Sequence, residues 1–160
     1  MDTRISAREQ YERGRTLRQN KMYKQALTDL QEAIEDPKYR GQAYTQTALC
    51  LRALGRHEEA VNALRHALNS SSLSSNESLH VLYLMGQSLE TLGRCAEAIE
   101  AYNWVRQEDA RFLDVDSRIK NLCGARRSFW SRPRTSSDLL HLGRSLIDRI
   151  RGRYCKSSLA

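Results

Sequence analysis

The side chains able to carry chemistry in this chain are few and scattered. Four histidines, His57, His66, His80 and His141, have no serine, cysteine or paired carboxylate at a spacing that nucleophilic or acid–base catalysis uses. Cys50, Cys95, Cys123 and Cys155 make no Cys-x-x-Cys pair and have no histidine at zinc-ligand spacing, so free thiols and no metal site are expected. Gly14, Gly55, Gly86 and Gly93 stand alone instead of forming a phosphate-cradling loop. The sequence therefore points to no enzyme, no cofactor and no small-molecule substrate. Arginine remains, a side chain suited to carboxylates and phosphates through charge-assisted bonds. What the arginines can do depends on the elements that hold them.

Their distribution divides the chain. Residues 1–110 carry 14 Lys/Arg and 15 Asp/Glu, whereas residues 111–160 carry 12 and 4. The excess positive charge thus belongs to the C-terminal third, and the two parts are expected to do different work. With 28% charged residues, 40% hydrophobic residues and two prolines, the composition is that of a soluble, helix-rich protein. The polar start and the lack of a long apolar run predict a cytoplasmic protein without a membrane span.

The positioning elements show themselves as a repeat. Ala26, Ala60 and Ala98 are separated by 34 and then 38 residues, and the same two intervals relate Gly14, Ala48 and Gly86, then Leu17, Leu51 and Leu89, then Leu30, Leu64 and Tyr102. Leu54-Gly55-Arg56 returns as Leu92-Gly93-Arg94. Within a unit, Tyr44, Ala48 and Leu51 and then Ala60, Leu64 and Ala67 recur at helical steps, with Gly55 placed to turn the chain between two helices. Small residues at fixed places let antiparallel helices approach closely. A four-residue insertion in the Ser-rich stretch 69–76, expected to be a solvated linker, accounts for the longer interval.

This pattern resembles the tetratricopeptide-repeat (TPR) family over about residues 7–112. It departs from that family in having Gln10, Tyr44 and Leu82 where an early tryptophan is usual, and Val105 where a small residue is usual. The resemblance implies an all-α TPR superhelix with a domain over 1–125. Its repeats fall at about 7–40, 41–74 and 79–112, with a capping helix at about 114–125. Phe112, Val115, Ile119, Leu122 and Cys123 mark one face of that cap, with Asp114 as its N-cap. The resemblance also implies a concave side lined by the first helix of each unit. Arg8, Tyr11, Arg15 and Arg18 project there from the first unit, Thr45, Leu49 and Arg52 from the second, and His80, Tyr83, Gln87 and Glu90 from the third. Another protein or peptide, of acidic character given the arginines, is the expected partner of an adaptor or scaffold. Pairs within a helix, Glu12 with Arg15 and Arg8 with Glu12, are the competing use of those arginines. Family members that hold chaperone tails use a lysine–asparagine clamp. The matching positions here are Tyr11, Arg15, Gln46, His80 and Leu84, so chaperone tails are not expected.

Beyond the repeats, residues 126–135 read as a basic linker with Phe129, Trp130 and Pro133, and 136–160 as a basic amphipathic C-terminal helix and tail. Leu139, Leu142, Leu146 and Ile150 form its stripe, and Arg144, Arg149, Arg151 and Arg153 its cationic surface. An anionic membrane surface or nucleic acid is the alternative partner, reached through this tail. Full-length protein should then co-sediment with anionic liposomes at low salt more strongly than a 1–125 truncation. Equal sedimentation of the two would remove the tail from any anion-binding role.

Overall fold

The computed structural model describes residues 6–129, and the tail arginines Arg144, Arg149, Arg151 and Arg153 lie outside them. The chain divides into two units, residues 1–123 and 124–160; the first carries the repeats. Among the described residues the fold is all-α, with seven helices. They are α1 (Ala7–Gln19), α2 (Tyr23–Ala33), α3 (Arg40–Ala53), α4 (His57–Asn69), α5 (Ser75–Thr91), α6 (Cys95–Glu108) and α7 (Val115–Phe129). The hairpins are α1–α2, α3–α4 and α5–α6, and they stack through α2 on α3 and α4 on α5.

The three hairpin turns are built alike. Each closes with a bond spanning five residues, Met22 N–H to Leu17 O (2.9 Å), Arg56 N–H to Leu51 O (2.8 Å) and Arg94 N–H to Leu89 O (2.9 Å). That closure requires a left-handed residue one position earlier. Gly55 (φ 75°) and Gly93 (φ 72°) supply it, and Lys21 (φ 62°) holds the same register in the first turn. The arginine after each glycine then grips the next helix: Arg56 Nε donates to Glu59 at 2.6 Å and Arg94 Nε to Glu97 at 2.7 Å.

The repeated small residues are where the helices touch. Ala26, Ala60 and Ala98 are completely buried, as are Leu30, Leu64 and Tyr102. Gly14 faces Leu30 across its own hairpin, and Gly86 faces Tyr102 in the same way. A Cβ on Gly86 would lie 2.5 Å from Cε1 of the tyrosine ring. Ala48 occupies the equivalent place in the second hairpin and is fully buried. His66, exposed on α4, stacks on Tyr44 with the rings 5.2 Å apart and nearly parallel. Burial raises the Cys50 thiol to about 11, which keeps it protonated and inert at neutral pH.

The Ser-rich stretch is more structural than a solvated linker. Ser70 is buried, and Ser72 Oγ accepts the Gly41 N–H at 2.9 Å. Ser74 caps α5 through a reciprocal pair with Glu77. The insertion therefore lengthens α5 by about one turn at its start, since α5 begins at Ser75 where the repeat register alone would give 79. Gly41 leaves the space that Ser70 and Leu73 fill.

Helix α7 follows the last hairpin. Val115, Ile119 and Leu122 are buried, Phe112 is half-buried and Cys123 is exposed. Cys123 thus falls at the edge of the apolar face it was expected to share. No helix among the described residues is long and apolar enough to cross a membrane.

Candidate binding groove on the first helices

The first helices carry the groove. A cavity of about 310 Å³ opens where α1, α3 and α5 meet. Tyr11 enters it from α1, Gln42, Thr45 and Gln46 from α3, and Asn76, Glu77 and His80 from α5. Leu73 and Val81 supply its apolar wall. Tyr11 is half-buried and stacks on Tyr39 with centroids 5.8 Å apart, which fixes its ring; burial also raises its phenol pKa, so the hydroxyl stays a hydrogen-bond donor. Thr45 donates its hydroxyl to Gly41 O at 2.8 Å, which fixes its rotamer at the cavity wall.

Side-chain bridges tie the first helices together. Gln42 Nε2 donates to Glu77 at 2.9 Å, and an Arg52 guanidinium nitrogen donates to Gln87 Oε1 at 2.7 Å, both between α3 and α5. Arg18 Nε donates to Gln46 Oε1 at 2.7 Å between α1 and α3. The next interval is closed by Arg118 of α7. It donates to the Tyr83 hydroxyl (3.2 Å) and to Glu90 (2.9 Å), pairs with Asp114 (2.9 Å) and lies 5.7 Å over the Tyr83 ring. The Tyr83 hydroxyl donates to Asp114, and that of Tyr102 donates to Glu90 at 2.9 Å. Burial, then the bond to Asp114, raises the Tyr83 pKa; burial, then the bond to Glu90, raises that of Tyr102. The bond from Tyr83, reinforced by Arg118, holds the Asp114 carboxyl below its ordinary value.

The expected site residues therefore separate into groups. Tyr11, Thr45 and His80 share one cavity. Arg52 and Gln87 bind one another, and Tyr83 with Glu90 belongs to the α7 contact. Leu49 lies between Thr45 and Arg52 on α3 and is half-buried. Arg15 pairs loosely with Glu12 at 3.7 Å, as the intrahelical reading anticipates. Arg8 is exposed at the start of α1, and its anticipated pair with Glu12 is not among the ion pairs of the described residues.

Gln42, Leu73, Asn76, Glu77, Val81 and Arg118 escaped the sequence reading in this role. A signal for three of the bridges existed. Gln42 to Glu77, Arg52 to Gln87 and Tyr83 to Arg118 all span 35 residues. Stepping 35 residues on from Tyr83 reaches Arg118, so the interval that relates the first helices of the units also relates α5 to α7.

Comparison with known proteins agrees with this architecture. The family model for the tetratricopeptide repeat matches residues 39–107. The first TPR of Spaghetti (RPAP3) bound to an HSP90 peptide superposes with a TM-score of 0.67 at 15% identity, covering 76% of this chain and 93% of that one. The Yersinia enterocolitica type III secretion chaperone SycD in complex with a peptide of the translocator YopD gives 0.66 at 15% identity, over 78% and 99%. MamA gives 0.68 at 15% identity, over 97% and 82%. A search of curated proteins found no match.

Proposed function

We propose that this chain, whose residues 39–107 match the tetratricopeptide-repeat family model, is an adaptor whose first-helix groove holds an extended segment of a partner protein. The cavity where Tyr11, Thr45 and His80 converge carries this reading. Three successive units contribute to it, it mixes apolar wall with amide and hydroxyl groups, and its size suits one or two side chains of a peptide. RPAP3 and SycD each hold a peptide in a structure of this fold, which supports the same use here.

A groove-filling substitution tests the proposal. Thr45→Trp should block the cavity while circular dichroism stays helical. A partner that is captured by the full chain, identified by mass spectrometry and then purified should lose at least about tenfold in affinity for the blocked variant, as truncating or obstructing a central contact commonly costs. Equal affinity for both proteins would place the interaction off the groove.

A further inference from the structure

The insertion that lengthens α5 also builds one side of the cavity. Leu73, Asn76 and Glu77 all line it, and all three precede residue 79, where the repeat register alone would start the helix. Glu77 is the one acidic side chain in that lining, and no lysine or arginine belongs to it. The arginines that pointed to an acidic partner, Arg8, Arg15, Arg18 and Arg52, therefore stand outside this cavity. Glu77 takes part in no ion pair of the described residues. Its hydrogen-bond partners are neutral: Oε2 accepts from the N–H and the hydroxyl of Ser74, both at 2.8 Å, and Oε1 accepts from Gln42 at 2.9 Å. Burial opposes its ionisation, but the bonds from Ser74 and Gln42 outweigh burial and lower its pKa, so it is charged at neutral pH. A carboxylate oxygen accepts about two bonds. Oε2 is thus filled, and Oε1 keeps room for one more donor.

We propose that the cavity is a cation pocket in which Glu77 takes the side-chain ammonium of a lysine in the bound segment. The assignment rests on the groove reading above and adds the chemistry of its ligand. One open acceptor position suits a compact ammonium, whereas the forked guanidinium of arginine is best matched by two. The amide oxygens of Gln42 and Asn76 stand in the same lining for the other ammonium hydrogens. Leu73 offers apolar surface to the methylene stem, and Tyr11 an aromatic ring that attracts a cation. The carboxylate comes with the inserted turn, so the preference is a property of this chain and does not follow from the 34-residue spacing of the other units.

The test is a display selection of random linear peptides on the full chain, run in parallel on Glu77→Gln. Glutamine also closes a capping box, so this variant removes the charge and keeps the start of α5. The wild-type chain should enrich peptides with lysine at one fixed place, and Glu77→Gln should lose that preference. A selected peptide is then synthesised with an acetylated N-terminus, so that only side chains carry ammonium groups. It should bind Glu77→Gln at least about tenfold more weakly than wild type. Replacing its lysine by norleucine, which keeps the stem and drops the charge, should cost wild-type binding the same factor. The norleucine peptide should bind wild type and Glu77→Gln equally, a result that mere damage to the fold would not give. If Glu77→Gln melts early, the norleucine replacement on the wild-type chain decides alone. Enrichment of acidic or uncharged peptides, or equal wild-type affinity for lysine and norleucine, would overturn the cation pocket and leave the groove reading standing. If the wild-type chain enriches no peptide, or if Thr45→Trp binds the selected peptide as well as wild type does, the groove reading fails along with it.

Discussion

Gly86→Ala is expected to destabilise the repeat unit by about 1–3 kcal/mol, the usual cost of overpacking a filled core. The added methyl carbon would stand 2.5 Å from Cε1 and 2.8 Å from Cζ of Tyr102, and that ring is completely buried. It cannot swing aside cheaply, because its hydroxyl is held by Glu90 at 2.9 Å. The second hairpin shows the remedy. There the matching pair is Ala48 and Leu64, both fully buried. Gly86→Ala combined with Tyr102→Leu should thus recover much of the stability lost by either change alone, a coupling a double-mutant cycle in urea measures directly. Additive losses would mean that the two positions are not packed on one another, and the assigned register of the third unit would be wrong.

Arg118→Met should loosen α7, with a loss of about 1–2 kcal/mol. This lies between the small worth of an exposed pair and the larger cost of breaking a buried one, as befits a side chain 28% exposed. The change removes the bonds to Tyr83, Glu90 and Asp114 together while keeping an apolar stem of similar length. Limited proteolysis near residues 109–114 should accelerate before the urea midpoint of the repeats moves much. Acid should act on the same contact. Asp114 has a lowered folded pKa, so its contribution is in full above the ordinary value of 3.8 and is lost as pH falls from there through the lowered one. In Arg118→Met that acid-induced weakening of α7 should shrink. An unchanged proteolysis rate would show that the apolar face of Val115, Ile119 and Leu122 is sufficient to hold the helix.

The fold was legible because its determinants are repeated steric needs. A small residue against a large one, at Gly14 and Leu30, at Ala48 and Leu64 and at Gly86 and Tyr102, leaves the same trace three times. The turn glycines Gly55 and Gly93 do likewise, and only Lys21 hides the pattern, by taking the left-handed conformation that glycine takes elsewhere. The groove was legible in part. Helical projection put Tyr11, Thr45 and His80 on one side of the first helices, since direction along a helix follows from spacing, and the three line one cavity. It could not tell which arginines are already engaged, because that depends on side chains meeting across helices. Arg118 meets the carboxylate of Glu90, whereas Arg18 and Arg52 each meet an amide, of Gln46 and of Gln87. The Ser-rich stretch misled for a related reason. Its composition reads as loop, yet Gly41, far off in sequence, provides the space that buries part of it.

Because, among the described residues, each hairpin packs mainly on the one before and the one after it, few contacts of the repeats have to close a long loop of chain. The search for the native arrangement is therefore local. A nucleus can form in any hairpin and grow by one interface at a time, which belongs to the fast end of folding kinetics for a chain of this size. The same arithmetic makes opening graded. The middle hairpin α3–α4 is buttressed on two sides, and the first, α1–α2, on one. The wall of the cavity that α1 supplies through Tyr11 is thus expected to part from the rest at less cost than the wall that α3 supplies.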